Sequence, residues 1–296
     1  MKSVRTTMLT AVIAGLLSAP AIAIPPIWEP SFGAELITLT NQDDDTTPVA
    51  LSFNFPYEST NYTTVHVGTN GCIQLGSLGT DGDIDYDHWI YFEEFINDAA
   101  PEICPLNTDL DLSTTGTIHF NDLGDHAVIT WNEVGTNAEE THLSSFQVQL
   151  WNTGRIVFGY NGILDGAGED LLGSLDEGIV VGITISDNVD PGPVDLSNGP
   201  FSTGPTAYQR WCYDTADSCG VGGSDTGLPG PVNSAFDLDQ LNVIFDPLPG
   251  TGFAVSSTVG AVGPTAIPTL SQWSLLVLGA LLALAGFAAH RRRAAG

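Results

Sequence analysis

Lysine is almost absent from this chain of 296 residues: Lys2 is the single example. Six arginines complete the basic set, and three of them stand together as Arg291, Arg292 and Arg293. Against these seven cations stand 35 acidic residues, all before position 247. A surface of this sign repels phosphate backbones, so nucleic acid is excluded as a partner. Several catalytic signatures are missing as well. No serine occupies G-x-S-x-G, none of the six histidines falls in H-E-x-x-H, and no glycine-rich phosphate cradle occurs. Cysteine is scarce, and its four positions form no C-x-x-C pair, which argues against a zinc site. These absences point away from catalysis, and the chain is read as a non-enzyme.

What the two ends contain explains the charge distribution. Residues 1–23 carry Lys2 and Arg5, then the apolar stretch MLTAVIAGLLSAP, then small residues at Ala21 and Ala23. This is the layout of a secretory signal peptide, with the mature chain starting near Ile24. Export removes both N-terminal cations. Up to Ala289 only Arg155 and Arg210 then oppose the 35 carboxylates, a net charge of −33 for the body. Cation binding, tolerance of salt and simple solubility all fit such a balance. At the other end, Trp273 to Ala289 runs 17 residues without a charge. As a helix it reaches about 25 Å, close to the hydrocarbon thickness of a bilayer. The arginines that follow hold that end inside, so the precursor is tethered to the inner membrane with its body outside.

In an oxidising compartment Cys72, Cys104, Cys212 and Cys219 are disulfide candidates. Three pairings exist; proximity in the chain favours Cys72 with Cys104 and Cys212 with Cys219.

The body itself lacks helical periodicity. Short segments alternate apolar and polar residues instead, as in SSFQVQLW, where Phe146, Val148 and Leu150 share one face. The NTG that follows reads as a hairpin turn at Gly154. About ten such segments predict an all-β, antiparallel sandwich or barrel-like domain over 24–246. Residues 186–234, rich in Gly, Pro, Ser and Asp, read as an insertion, and 247–266 as an uncharged linker. The acidic stretch TDGDIDYDHW places Asp81, Asp83, Asp85 and Asp87 on one face, with Glu94 seven residues further on. Calcium is a possible ligand there, although His88 stands where an EF-hand needs glycine.

Two resemblances add to these readings. Ile267, Pro268, Thr269, Leu270, Ser271 and Trp273, with the apolar run and the arginine cluster behind them, resemble the IPTL-type C-terminal sorting signal of Gram-negative bacteria. The resemblance implies cutting by an exosortase-family enzyme and delivery to the cell surface or extracellular matrix. FNFPYESTNYTTVHVGTNGCIQLG (53–76), ICPLNTDLDLSTTGTIHF (103–120), AVITWNEV, FQVQLWNTGRIVFGYNGI and LNVIFDPLP follow one another in the order found in nidogen-like domains, which they resemble. This implies an extracellular β domain of the matrix and adhesion class, with no catalytic constellation. The expectation is a sorted surface protein with a structural or adhesive role, binding an extracellular polysaccharide or surface protein. The alternatives are a secreted polysaccharide hydrolase and a calcium-dependent carbohydrate-binding module.

Overall fold

The computed structural model describes residues 28–78, 92–97, 100–136, 143–163, 179–211 and 236–259. Fifteen strands occur among them, all paired antiparallel, in two sheets. In chain order they are β1 (Ala34–Glu35), β2 (Thr46–Tyr57), β3 (Thr60–Gly68), β4 (Ile73–Leu75), β5 (Glu102–Asn107), β6 (Leu110–Asp111), β7 (Thr117–Asp122) and β8 (His126–Thr136). There follow β9 (Ser144–Trp151), β10 (Ile156–Tyr160), β11 (Ile179–Thr184), β12 (Phe201–Thr203), β13 (Ala207–Trp211), β14 (Leu241–Pro247) and β15 (Phe253–Val259). One short helix, α1 (Phe92–Asn97), and a 3-10 turn at Leu196–Asn198 complete the described elements.

The larger sheet runs β1-β7-β8-β9-β10-β14-β15-β12, with β6 added beside β8, and the smaller runs β13-β11-β5-β4-β3-β2. Their inner faces meet in one apolar core. Ile129, Trp131, Phe146, Val148, Phe158 and Phe245 come from the larger sheet, and Phe55, Val65, Val67, Ile103, Val181 and Trp211 from the smaller. Burial of this apolar surface is the main stabilising term, at roughly 25 cal/mol per Å². Directional bonds then fix how the layers sit. Trp131 Nε1 donates to Gly68 O at 3.1 Å and the Tyr160 hydroxyl donates to Pro105 O at 2.6 Å. Tyr57 O–H donates to Thr184 O at 3.2 Å, and burial raises the pKa of both phenols well above the ordinary tyrosine range.

The all-β sandwich expected from alternation is therefore present, and the hairpin at Gly154 (φ 85°) joins β9 to β10. Three expectations change. The segment taken as linker from 247 holds β15, whose Phe253 and Val255 are buried while Ala254 and Ser256 alternate outward. Its low charge and small residues mask a strand that pairs with β14 over its whole length. The presumed insertion likewise supplies β12 and β13, because Ala207, Tyr208 and Trp211 provide buried surface between Gly- and Pro-rich flanks. Gln147 and Gln149, which alternate with Phe146, Val148 and Leu150 on the polar side of a strand expected to be half-buried, are also buried. Gln147 exchanges hydrogen bonds with the backbone of Glu29, so the segment leading into β1 lies over that face.

Candidate functional site

Both cations of the body are placed by the sheets. Arg155 Nε donates to Asp246 Oδ1 at 2.6 Å, tying the hairpin end to β14 at a half-exposed position. Arg210 is instead buried in β13, opposite Val180. Neither projects a free positive patch, which leaves the carboxylates to define the surface field.

The densest group of these carboxylates in the described structure is Asp43, Asp44 and Asp109. Local backbone chemistry assembles it. After β1 the chain folds back through Leu39, which is buried, and Gln42, whose carbonyl accepts Leu112 N. Asp44 then adopts φ 48°, a left-handed conformation that aspartate tolerates better than most residues. Its Oδ1 accepts from Asn70 Nδ2 at 2.9 Å, and Asn70 Oδ1 in turn accepts Leu110 N at 3.0 Å. Asn70 thus fastens the segment before β2 to the start of β6, which brings Asp109 beside Asp43 and Asp44. One carboxylate oxygen from each lies within 4.8 Å of the others. Two oxygens sharing one calcium are at most about 5 Å apart, so the spacing suits a shared cation, whereas three carboxylates alone fall short of the six to eight oxygens calcium takes.

Crowding is visible in the titration of Asp43, raised from 3.8 to about 6 by partial burial first and then by the charges of Asp44, Asp111 and Asp109. The sign of its effect on stability follows. Between pH 4 and 6 the unfolded chain releases this proton before the folded one, so folding is progressively disfavoured as pH rises. Asp43→Asn removes the titration and is expected to melt at the wild-type temperature below pH 4 and above it at pH 7. Melting curves at both pH values check this; a gap independent of pH would show that Asp43 is not crowded.

In the sequence Asp109 and Asp111 stand together in TDLDL, but 65 residues separate Asp109 from Asp44, so their meeting is not a local signal. The only local signal was the Asn70-Gly71 turn. Asp81, Asp83, Asp85 and Asp87 lie outside the described residues, and of Glu94 only the backbone in α1 is described. The signal peptide, Cys212, Cys219, Ile267 to Trp273 and Arg291 to Arg293 also lie outside. Among the described residues no helix is long and apolar enough to cross a membrane, and 273–289 is not among them. Cys72 and Cys104 are joined, as chain proximity favoured. Glu102 lies beside them, but with both sulfurs in a disulfide no thiolate is left to bind a metal.

Comparison with known families gives two matches. A family model described as NIDO related covers residues 26–208, more than half of the chain, and the IPTL-CTERM motif covers residues 265–293. No curated protein and no solved structure matches. The sorting motif implies export to the cell surface and processing by an exosortase-type enzyme.

Proposed function

The chain belongs to the NIDO-related family, and from that premise we propose that it is a non-catalytic structural or adhesive component of the cell surface or extracellular matrix. In this reading the precursor is held in the inner membrane of a Gram-negative cell by 273–289, and the sandwich is delivered outward once the tail is cut. The observation that carries it is the conjunction, in one chain, of a NIDO-related domain and an IPTL-CTERM motif. The partner is an extracellular polysaccharide or another surface protein. The acidic body supports this placement, since net repulsion keeps 33 uncompensated charges soluble at high local density. A glycosidase would instead need two carboxyls flanking a sugar-sized gap, about 5–9.5 Å apart. At Asp43, Asp44 and Asp109 one oxygen of each lies within 4.8 Å of the others, so these carboxylates converge on a common point.

The test is made in the native host. Mass spectrometry of the mature protein is expected to find a start near Ile24 and no arginine cluster. Replacing Pro268, Thr269 and Leu270 with alanine is expected to leave nearly all of it as membrane-bound precursor. Mature protein intact to Gly296 in the inner membrane would end the sorting reading. Turnover of polysaccharide by the purified body would end the non-catalytic one.

A further inference from the structure

Three hairpin turns meet at the end of the sandwich opposite the acidic corner. Strand β2 begins just after that corner, at Thr46, and ends at Tyr57, roughly 35 Å further on at about 3.3 Å per residue. Here the β2–β3 turn of the smaller sheet, at Glu58 and Ser59, comes together with two turns of the larger sheet. These are the β9–β10 turn at Thr153 and Gly154 and the β14–β15 turn from Leu248 to Gly252. Between the three lies an open cleft holding about 70 Å³ of space for water. That is room for roughly five waters, since one needs about 10–15 Å³. Pro56, Glu58, Thr153, Pro247, Thr251 and Phe253 are among the residues that line it.

Close backbone contacts fix the walls. A Cβ on Gly154 would fall 2.8 Å from Pro56 O, and one on Gly252 would fall 2.2 Å from Thr203 O, so glycine is what lets these turns touch. Glu58 then bridges the two sheets, its Oε1 accepting Gly252 N at 2.9 Å. It does so from φ 51°, a left-handed conformation uncommon for a residue with a long side chain.

The hydrogen-bonding groups of the cleft are mostly of one kind. Pro56 and Pro247 have no N–H to offer. Gly252 N is used by Glu58, Gly154 N donates to Trp151 O at 2.8 Å, and Leu248 N donates to Gly252 O at 2.9 Å. The Glu58 carboxylate has about four acceptor sites, and its described hydrogen bond takes one of them. A ligand must therefore bring donors. An extended peptide brings as many carbonyls as N–H groups and fits such a surface poorly. Sugar hydroxyls supply the donors, and the C–H face of a pyranose matches the flat apolar faces of Pro56 and Pro247. An anionic sugar is opposed by the body's net negative charge, and Arg155 beside the cleft is already paired with Asp246 at 2.6 Å.

We propose that this cleft is a binding site for one sugar unit of a neutral polysaccharide, with Glu58 accepting from its hydroxyls and the two prolines lying against its ring. The inference rests on the polysaccharide partner of the reading above and gives that partner a site. So small a contact is weak singly, and many copies on one polymer hold by avidity.

The mature protein, purified from the native host, is tested by frontal affinity chromatography on that host's deproteinised extracellular polysaccharide, split by ion exchange into neutral and anionic fractions. Wild type is expected to be retarded on the neutral fraction equally at 0.15 M and 1 M NaCl, because an uncharged ligand leaves salt nothing to screen. Glu58→Gln keeps an oxygen for Gly252 N but loses the charge-assisted bonds to hydroxyls, and is expected to bind at least five-fold more weakly. Glu133→Gln makes the same change of charge at an exposed position on β8 and is expected to bind as the wild type. Melting curves establish that both variants are folded. Equal retention of wild type and Glu58→Gln would overturn the site while leaving polysaccharide as the partner. Retention on the anionic fraction alone, or its loss in 1 M NaCl, would overturn the neutral-sugar assignment. No retention of the wild type on either fraction would remove the polysaccharide partner itself, and this inference with it.

Discussion

Gly71→Ala is expected to destabilise the domain by about 3–5 kcal/mol, at the upper end of single substitutions, while Gly124→Ala costs only about 1–2 kcal/mol of left-handed strain. Both glycines have left-handed φ, 84° and 90°. They differ in what a methyl group would meet. At Gly124 nothing lies within 4 Å, whereas at Gly71 an added Cβ would fall 1.9 Å from the carbonyl oxygen of Leu106. That oxygen is backbone of β5, and Leu106 N donates to Gly71 O in return. Moving the turn away also strains Thr108 N to Asn70 O and Leu110 N to Asn70 Oδ1. The clash therefore propagates to the corner where Asp44 and Asp109 are assembled. Denaturant titration of the two variants separates the terms, since Gly124→Ala reports strain alone. Equal losses would mean that the turn does not approach β5 this closely.

The fold class was legible because alternation is a local signal. Phe146, Val148 and Leu150 repeat at the period of a strand, and no window of the body repeats at the period of a helix. Strand pairing was legible only where a turn residue marked it, as at Gly154. The two misread segments share a cause. In β15 the outward positions are Ala254, Ser256 and Thr258, small residues typical of linkers, and its inward positions are just Phe253, Val255 and Ser257. Two buried side chains are too few to stand out in composition, yet enough when β14 and β12 flank the strand. β13 is obscured because its outward face, Tyr208 and Arg210, is buried too, so it does not alternate. The acidic corner was invisible for a different reason. Asp43 and Asp109 meet through Asn70, whose amide serves both segments, and nothing in sequence tells such an asparagine from any other turn residue.

Replacing Cys72 and Cys104 together with alanine is expected to cost about 3–4 kcal/mol, the loop-closure value for a bridge of this span, over a sequence separation of 32. The bond joins the residue that leads into β4 to β5 of the smaller sheet. Both cysteines are fully buried, and Phe95, Ile96, Val180 and Tyr208 pack with them in a second, small apolar cluster. β4 and β5 share just two residue pairs, Ile73 with Ile103 and Gln74 with Glu102, so this is a thinly laddered part of the sheet. Two mechanisms then compete. If the bridge acts by restricting the unfolded chain, its removal expands that state and raises the denaturant m-value along with the loss of stability. If it acts by filling the cluster, the loss appears at constant m as a cavity effect. The separation favours the first, with a rise in m as its signature. A serine pair is expected to fall further than the alanine pair, because each buried hydroxyl without a partner costs about 1–3 kcal/mol. Urea titrations of the three proteins, with peptide mapping under non-reducing conditions to establish the bond in the parent, decide between them. An alanine pair as stable as the parent would show that the ladder and the Phe95–Tyr208 packing already hold β4 against β5 without the bond.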